Sequence, residues 1–172
     1  MNIMHKGFTL VEALVALAVI VTAALTVYGG VALSHRATVR GGERAQAAFL
    51  LEEGYEALLY LRDVHFADRL GGLTANGSQI YCLNDISAGG SIGLMAVPTV
   101  DLCTPFDGFT RSVTFKNACR DNTSHNIMGQ TTTVSCPVGQ NLDTDTKYAL
   151  IKVTWGTKSE QVEAYIANLF LR

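Results

Sequence analysis

From Ala13 to Leu33 the chain runs 21 residues without a charged side chain, and the apolar stretch opens earlier, at Phe8. At 1.5 Å per residue a helix of that length extends about 31 Å, which matches a bilayer core of roughly 30 Å. A secretory signal peptide carries a shorter apolar region ending in small residues at its cleavage site. The pattern therefore predicts an N-terminal membrane helix. Past Val39 the pattern changes to an amphipathic one. Ala45, Ala48, Phe49, Tyr55, Leu58, Leu59, Arg62 and Phe66 recur at three- and four-residue steps, interrupted at Glu52. Glu43, Glu53, Glu56, Asp63 and Asp68 fall mostly on the other, solvated side. Gly71-Gly72 is the predicted stop.

One helix from Phe8 to Leu70 would be roughly 94 Å long. No small core buries that length, so its first half must be covered by lipid or by other copies. Gly29-Gly30 is its weak point and Gly41-Gly42 a second candidate hinge, since each glycine costs roughly 1 kcal/mol relative to alanine.

Residues 73–172 read as strands. In Phe109 to Phe115 the positions Phe109, Val113 and Phe115 face one way and the threonines the other. Ala149, Ile151, Val153 and Trp155 form one apolar face, and Val162, Ala164, Ile166 and Phe170 suggest a last strand after a turn over Gly156 to Ser159. The stretch from Thr74 to Pro105 reads as a long, Gly-rich connection between helix and sheet, and a loop of that length usually carries recognition. The predicted class is α+β, with a long N-terminal helix packed on a C-terminal antiparallel sheet.

Composition sharpens this. The 172 residues carry 13 basic and 15 acidic side chains, a net charge of −2. From residue 73 onward seven Lys and Arg face eight acids, with no basic cluster interleaved with aromatics, so no nucleic-acid partner is evident. Hydrophobic content is 48% with a mean hydropathy of +0.22, concentrated near the N-terminus. Neither a cytosolic single-core enzyme nor a disordered chain fits that distribution. Cys82, Cys103, Cys119 and Cys136 all lie beyond the apolar segment, and no pair has C-x-x-C spacing. They read as two disulfides in an oxidising compartment. Three pairings are open; the preferred one joins Cys119 to Cys136 after the Phe109–Phe115 strand and Cys82 to Cys103 before it.

Glu12 breaks the apolar stretch one helical turn after Phe8. A carboxylate there costs a few kcal/mol in lipid and is normally paired or functional. Cleavage after Gly7 would give Phe8 a free α-ammonium. In a bundle of identical, staggered helices that ammonium can meet the Glu12 of another copy. The run Lys6-Gly7-Phe8-Thr9-Leu10-Val11-Glu12 followed by about twenty apolar residues resembles the prepilin leader of type IV pilins and type II secretion pseudopilins. The likeness covers residues 1 to about 35. Ala47 to Asp63 is similar to the second half of the pilin spine helix. Val153 to Trp155 with Tyr165 to Phe170 is loosely similar to the C-terminal hairpin of pilin-like minor subunits.

The resemblance implies a leader over 1–7, a transmembrane and filament-core helix over 8–35, an amphipathic second half over 36–72 and a globular sheet domain over 73–172. It implies cleavage after Gly7 and N-methylation of Phe8 by a prepilin peptidase and methyltransferase, and assembly through Phe8 and Glu12. The implied partners are copies of itself, related pilins and the assembly machinery of a pilus or secretion system. The implied location is the cytoplasmic membrane before assembly and an extracellular pilus or periplasmic pseudopilus after it. Orientation rests on the resemblance, because Arg36, Arg40 and Arg44 lie just beyond the apolar span, against the positive-inside tendency. The alternatives are a type II pseudopilin and a membrane-anchored periplasmic binding module or enzyme.

No catalytic, metal or cofactor site is expected. Gly89 to Gly93 matches G-x-S-x-G, but a nucleophile elbow needs a strand before it, a helix after it and a parallel sheet around it. His35, His65 and His125 lack metal-ligand spacing. Asp143 and Asp145 flank a threonine in a predicted loop, as calcium ligands do in some pseudopilins, without the glycine and terminal glutamate of an EF-hand loop. Asn76-Gly-Ser78 and Asn122-Thr-Ser124 fit the glycosylation acceptor pattern, which short sequences often produce by chance.

Overall fold

The computed structural model describes residues 9–84, 93–103 and 106–169. One helix, α1, spans Leu10–His65 and continues as a π-helical turn, Phe66–Gly71. The stop falls at Gly71-Gly72 as expected, but the last turn is wider than an α-helix. Both glycine pairs lie inside α1, and no side chain approaches within 4 Å of where their Cβ atoms would be. The chain divides into two compact units, one ending at Glu43 and the other starting at Arg44.

In the first unit the described side chains from Leu10 to Leu33 are almost all exposed. In the second, the helical segment from Arg44 packs on six antiparallel strands found among the described residues: β1 Asn76–Asn84, β2 Gly93–Val97, β3 Thr110–Asp121, β4 Ile127–Thr131, β5 Gln140–Trp155 and β6 Lys158–Ala167. Their order is β2-β1-β3-β5-β6, with β4 also paired to β3. The fold is α+β.

The core lies between helix and sheet. Ala57, Leu58, Leu61, Phe66 and Leu70 meet Tyr81, Leu83, Val113, Phe115, Ala149, Ile151 and Ile166. Ala47 joins Phe109, Val153 and Trp155 in a second cluster. The alternation read in β3 and β5 holds: Phe109, Val113, Phe115, Ala149, Ile151, Val153 and Trp155 are all buried. In β6 Ile166 is buried and Ala164 partly so, whereas Val162 is exposed; Phe170 lies outside the described residues. The connection to β6 is a two-residue turn, since Trp155 pairs directly with Lys158 and Gly156 takes φ +54°.

Three expectations are corrected. Leu58, Leu59 and Phe66 face the core as expected, but the rest of the buried stripe is Ala47, Gly54, Ala57 and Leu61, leaving Ala45, Ala48, Tyr55 and Phe49 (71% exposed) outside. The run Ala47-Ala48-Phe49-Leu50-Leu51 is apolar on every side, so periodicity leaves its phase open. Gly54 settles it. A Cβ there would stand 3.0 Å from Arg111 Cδ and 3.2 Å from Ile151 Cγ2, so any side chain would force those neighbours to give way, and glycine lets the helix come this close without that. Second, the stretch expected as a connecting loop contains β1 and β2, paired from Ile80↔Val97 to Asn84↔Gly93. Its Ile80-Tyr-Cys-Leu83 run is strand-forming, and Tyr81 packs edge-on against Phe115 at 5.6 Å. Third, Asp143 and Asp145 are in strand β5, not a loop.

Candidate assembly segment and the disulfide-bonded domain

The N-terminal segment begins with a capping turn that sequence reading missed. Thr9 precedes α1, its hydroxyl accepts the Glu12 N–H at 3.3 Å and its carbonyl accepts the Ala13 N–H at 3.2 Å. Thr9-Leu-Val-Glu12 is the Ser/Thr-x-x-Glu pattern of a capping box, which was legible in the sequence. Glu12 thus sits in the first turn of α1, where the helix dipole favours a carboxylate. Its side chain is exposed. Gly7 and Phe8, the expected processing positions, lie outside the described residues.

Along the apolar half the polar side chains bond to the helix itself. Thr22 donates to the Ala18 carbonyl at 2.9 Å, and Thr26 to the Ala23 carbonyl at 2.8 Å. Both threonine hydroxyls are thus satisfied by the helix itself, as suits a lipid environment. The helix contains an apolar window of mean hydropathy 2.5, none of it buried by the rest of the described chain.

In the second unit disulfides join Cys82 to Cys103 and Cys119 to Cys136. The first lies under Val97, partly covered by Ile80 and Val100. The second closes the loop carrying β4. Between β3 and β4, the Asp121 carboxylate accepts the N–H groups of Ser124 and Thr123 at 2.7 and 2.9 Å. These bonds hold its pKa below the usual value.

Beside them β5 bulges. Asn117 pairs with Lys147, but Ala118 pairs with Asp143, so Thr144 to Thr146 have no partner on β3, while Thr146 still pairs with Ala167 on β6. Burial pushes the Asp143 pKa up, but hydrogen bonds from Thr146, Arg120 and the Asp145 N–H prevail and hold it below the usual value. Arg120 binds the Asp143 carboxylate through Nε, Thr146 Oγ1 at 3.1 Å and the His125 carbonyl at 2.9 Å. A guanidinium therefore occupies the place proposed for a cation. Among the described residues no three His, Cys, Asp or Glu side chains gather as a metal site. The G-x-S-x-G stretch lies outside the described residues up to Ser91–Ile92 and ends at Gly93, the first residue of β2.

Residues 4–28 match the model of the prokaryotic N-terminal methylation motif. The chain carries the type IV pilin and pseudopilin signature. No match to a curated protein or to a solved structure was found. The motif covers the capped start of α1 and most of its apolar window, and the α+β fold beyond it is pilin-like. Together they support a pilin- or pseudopilin-like protein and suggest a structural subunit with a membrane-anchored precursor.

Proposed function

We propose that the chain is a structural subunit of a type IV pilus or pilus-like filament, cleaved after Gly7, N-methylated on Phe8 and packed through its N-terminal helix. The observation that carries this is the methylation motif over residues 4–28, set on an apolar helix that the rest of the described chain leaves uncovered. Such a surface is stable in water only when something covers it. Lipid covers it in the precursor and neighbouring copies cover it in the filament. The proposed organisation is a leader over 1–7, a membrane and filament-core helix over 8–35, an amphipathic half over 36–72 and a globular part over 73–172. In the filament the Phe8 ammonium of one copy meets the Glu12 carboxylate of another, and the pair relieves the cost of an apolar-buried charge only at the correct stagger.

Mass spectrometry of sheared surface filaments tests the reading. The expected subunit starts at N-methyl-Phe8, is oxidised at all four cysteines and is found in the fibre. Met1 at the N-terminus of fibre protein would overturn it. Processed protein that stays in the cell envelope and is needed for secretion would favour the pseudopilin reading.

A further inference from the structure

Lys147 is a buried amine with an amide in front of it. It lies opposite Asn117 on the neighbouring strand and is only 5% exposed. Its Nζ donates to Asn117 Oδ1 at 3.1 Å. The other end of that amide is also held, because Asn117 Nδ2 donates to the Thr133 carbonyl at 3.2 Å. Thr133 belongs to the loop closed by Cys119–Cys136, so the disulfide helps to hold the amide with its carbonyl toward the amine. We propose that Lys147 and Asn117 form an intramolecular isopeptide bond that cross-links β3 to β5.

The chemistry balances without an oxidant or a co-reactant. The Nζ lone pair attacks Asn117 Cγ, a new Nζ–Cγ bond forms and the Cγ–Nδ2 bond breaks. One proton passes from Nζ to Nδ2, which leaves as ammonia. The hydrogen bond holds Nζ against the oxygen of the carbonyl whose carbon it would attack, so the two reacting groups are already paired.

Attack needs a neutral amine, and burial drives the Lys147 pKa down, only partly opposed by the charges of Asp143 and Asp145. Both carboxylates act on the amine only through their charge, Asp143 while paired with Arg120. A buried ammonium is costly. The product amide is neutral, which gives the step a direction.

Intact mass spectrometry of the full, processed and oxidised protein tests this, followed by peptide mapping. The expected mass is lower than that of the sequence with both disulfides by one ammonia, and reduction does not restore it. Mapping should give a branched peptide joining residues 117 and 147, absent from Lys147→Arg. The full calculated mass in folded, oxidised protein would overturn the proposal, and so would an ammonia loss without the branched peptide.

Discussion

Arg111 on β3 reaches under α1 and binds Glu53, with Nη1 at 2.7 Å from the carboxylate and 3.1 Å from the Leu50 carbonyl, while Nη2 donates to the Leu83 carbonyl at 3.5 Å. The arginine side chain is 10% exposed, whereas the glutamate faces solvent on one side. The pair is therefore unequal. Arg111→Ala removes the packing of the stem and three acceptors' partner at once, and should cost about 2–4 kcal/mol. Glu53→Ala leaves the two carbonyl bonds in place and should cost about 1 kcal/mol or less. Urea unfolding of the two variants checks the order.

Gly54 should tolerate no large side chain. Its Cβ position already touches Arg111 and Ile151, so Gly54→Leu pushes helix and sheet apart and should destabilise by at least about 2 kcal/mol. The same change at Gly42, where nothing lies within 4 Å, should be neutral or slightly stabilising through helix propensity. Thermal unfolding of both variants makes the comparison.

Stability should depend on pH at both ends. The folded Asp143 pKa is depressed. Its contribution is thus present above the ordinary value of 3.8 and lost as pH falls below that through the folded value. Asp143→Asn should flatten the acid limb. Tyr148 behaves oppositely: burial first, then the Glu163 carboxylate, raise its pKa from 10.0 to about 12. Its contribution is complete below pH 10 and fades as pH rises through about 12. Tyr148→Phe should flatten the alkaline limb, read as unfolding midpoints across the series.

The two disulfides should be separable. Each closes a short loop, of 21 and 17 residues' separation, and should contribute roughly 3 kcal/mol. Non-reducing peptide maps should give Cys82 with Cys103 and Cys119 with Cys136. A Cys119→Ser/Cys136→Ser variant should keep the Cys82–Cys103 bond and lower the melting temperature.

Glu12→Leu separates folding from assembly. Glu12 is exposed on the first turn of the helix, in a compact unit that ends at Glu43. The variant should be inserted, cleaved and oxidised normally, with an unchanged unfolding transition of the globular part. As the sole copy it should fail to enter filaments. Filament yield equal to wild type would show that this carboxylate does not set the stagger.

The sequence alone determined the features that depend on local pattern. An uncharged stretch of 21 residues reads as a lipid- or partner-covered helix, because its length at the helical rise matches a bilayer's thickness. The Phe109–Phe115 and Tyr148–Trp155 alternations fixed which side chains face the core, since the period of a strand is two. The methylation motif was legible for the same reason: its parts are contiguous in the chain.

Tertiary structure decided what depends on distant residues. The phase of the helix past Val39 follows from the close approach of Gly54 to Arg111 and Ile151, residues far away in sequence. Hydrophobic periodicity could not find it where apolar residues surround the helix. β1 and β2 exist because Tyr81 and Cys82 find partners on β3 and at Cys103, although their flanks read as Gly-rich loop. Asp143 read as a residue of a solvated loop, and only the fold brings Arg120 against it. Lys147 and Asn117 meet because they are the last pair of the register that β3 and β5 hold unbroken from Thr110↔Thr154. Register is a property of the paired strands, and neither strand carries it alone.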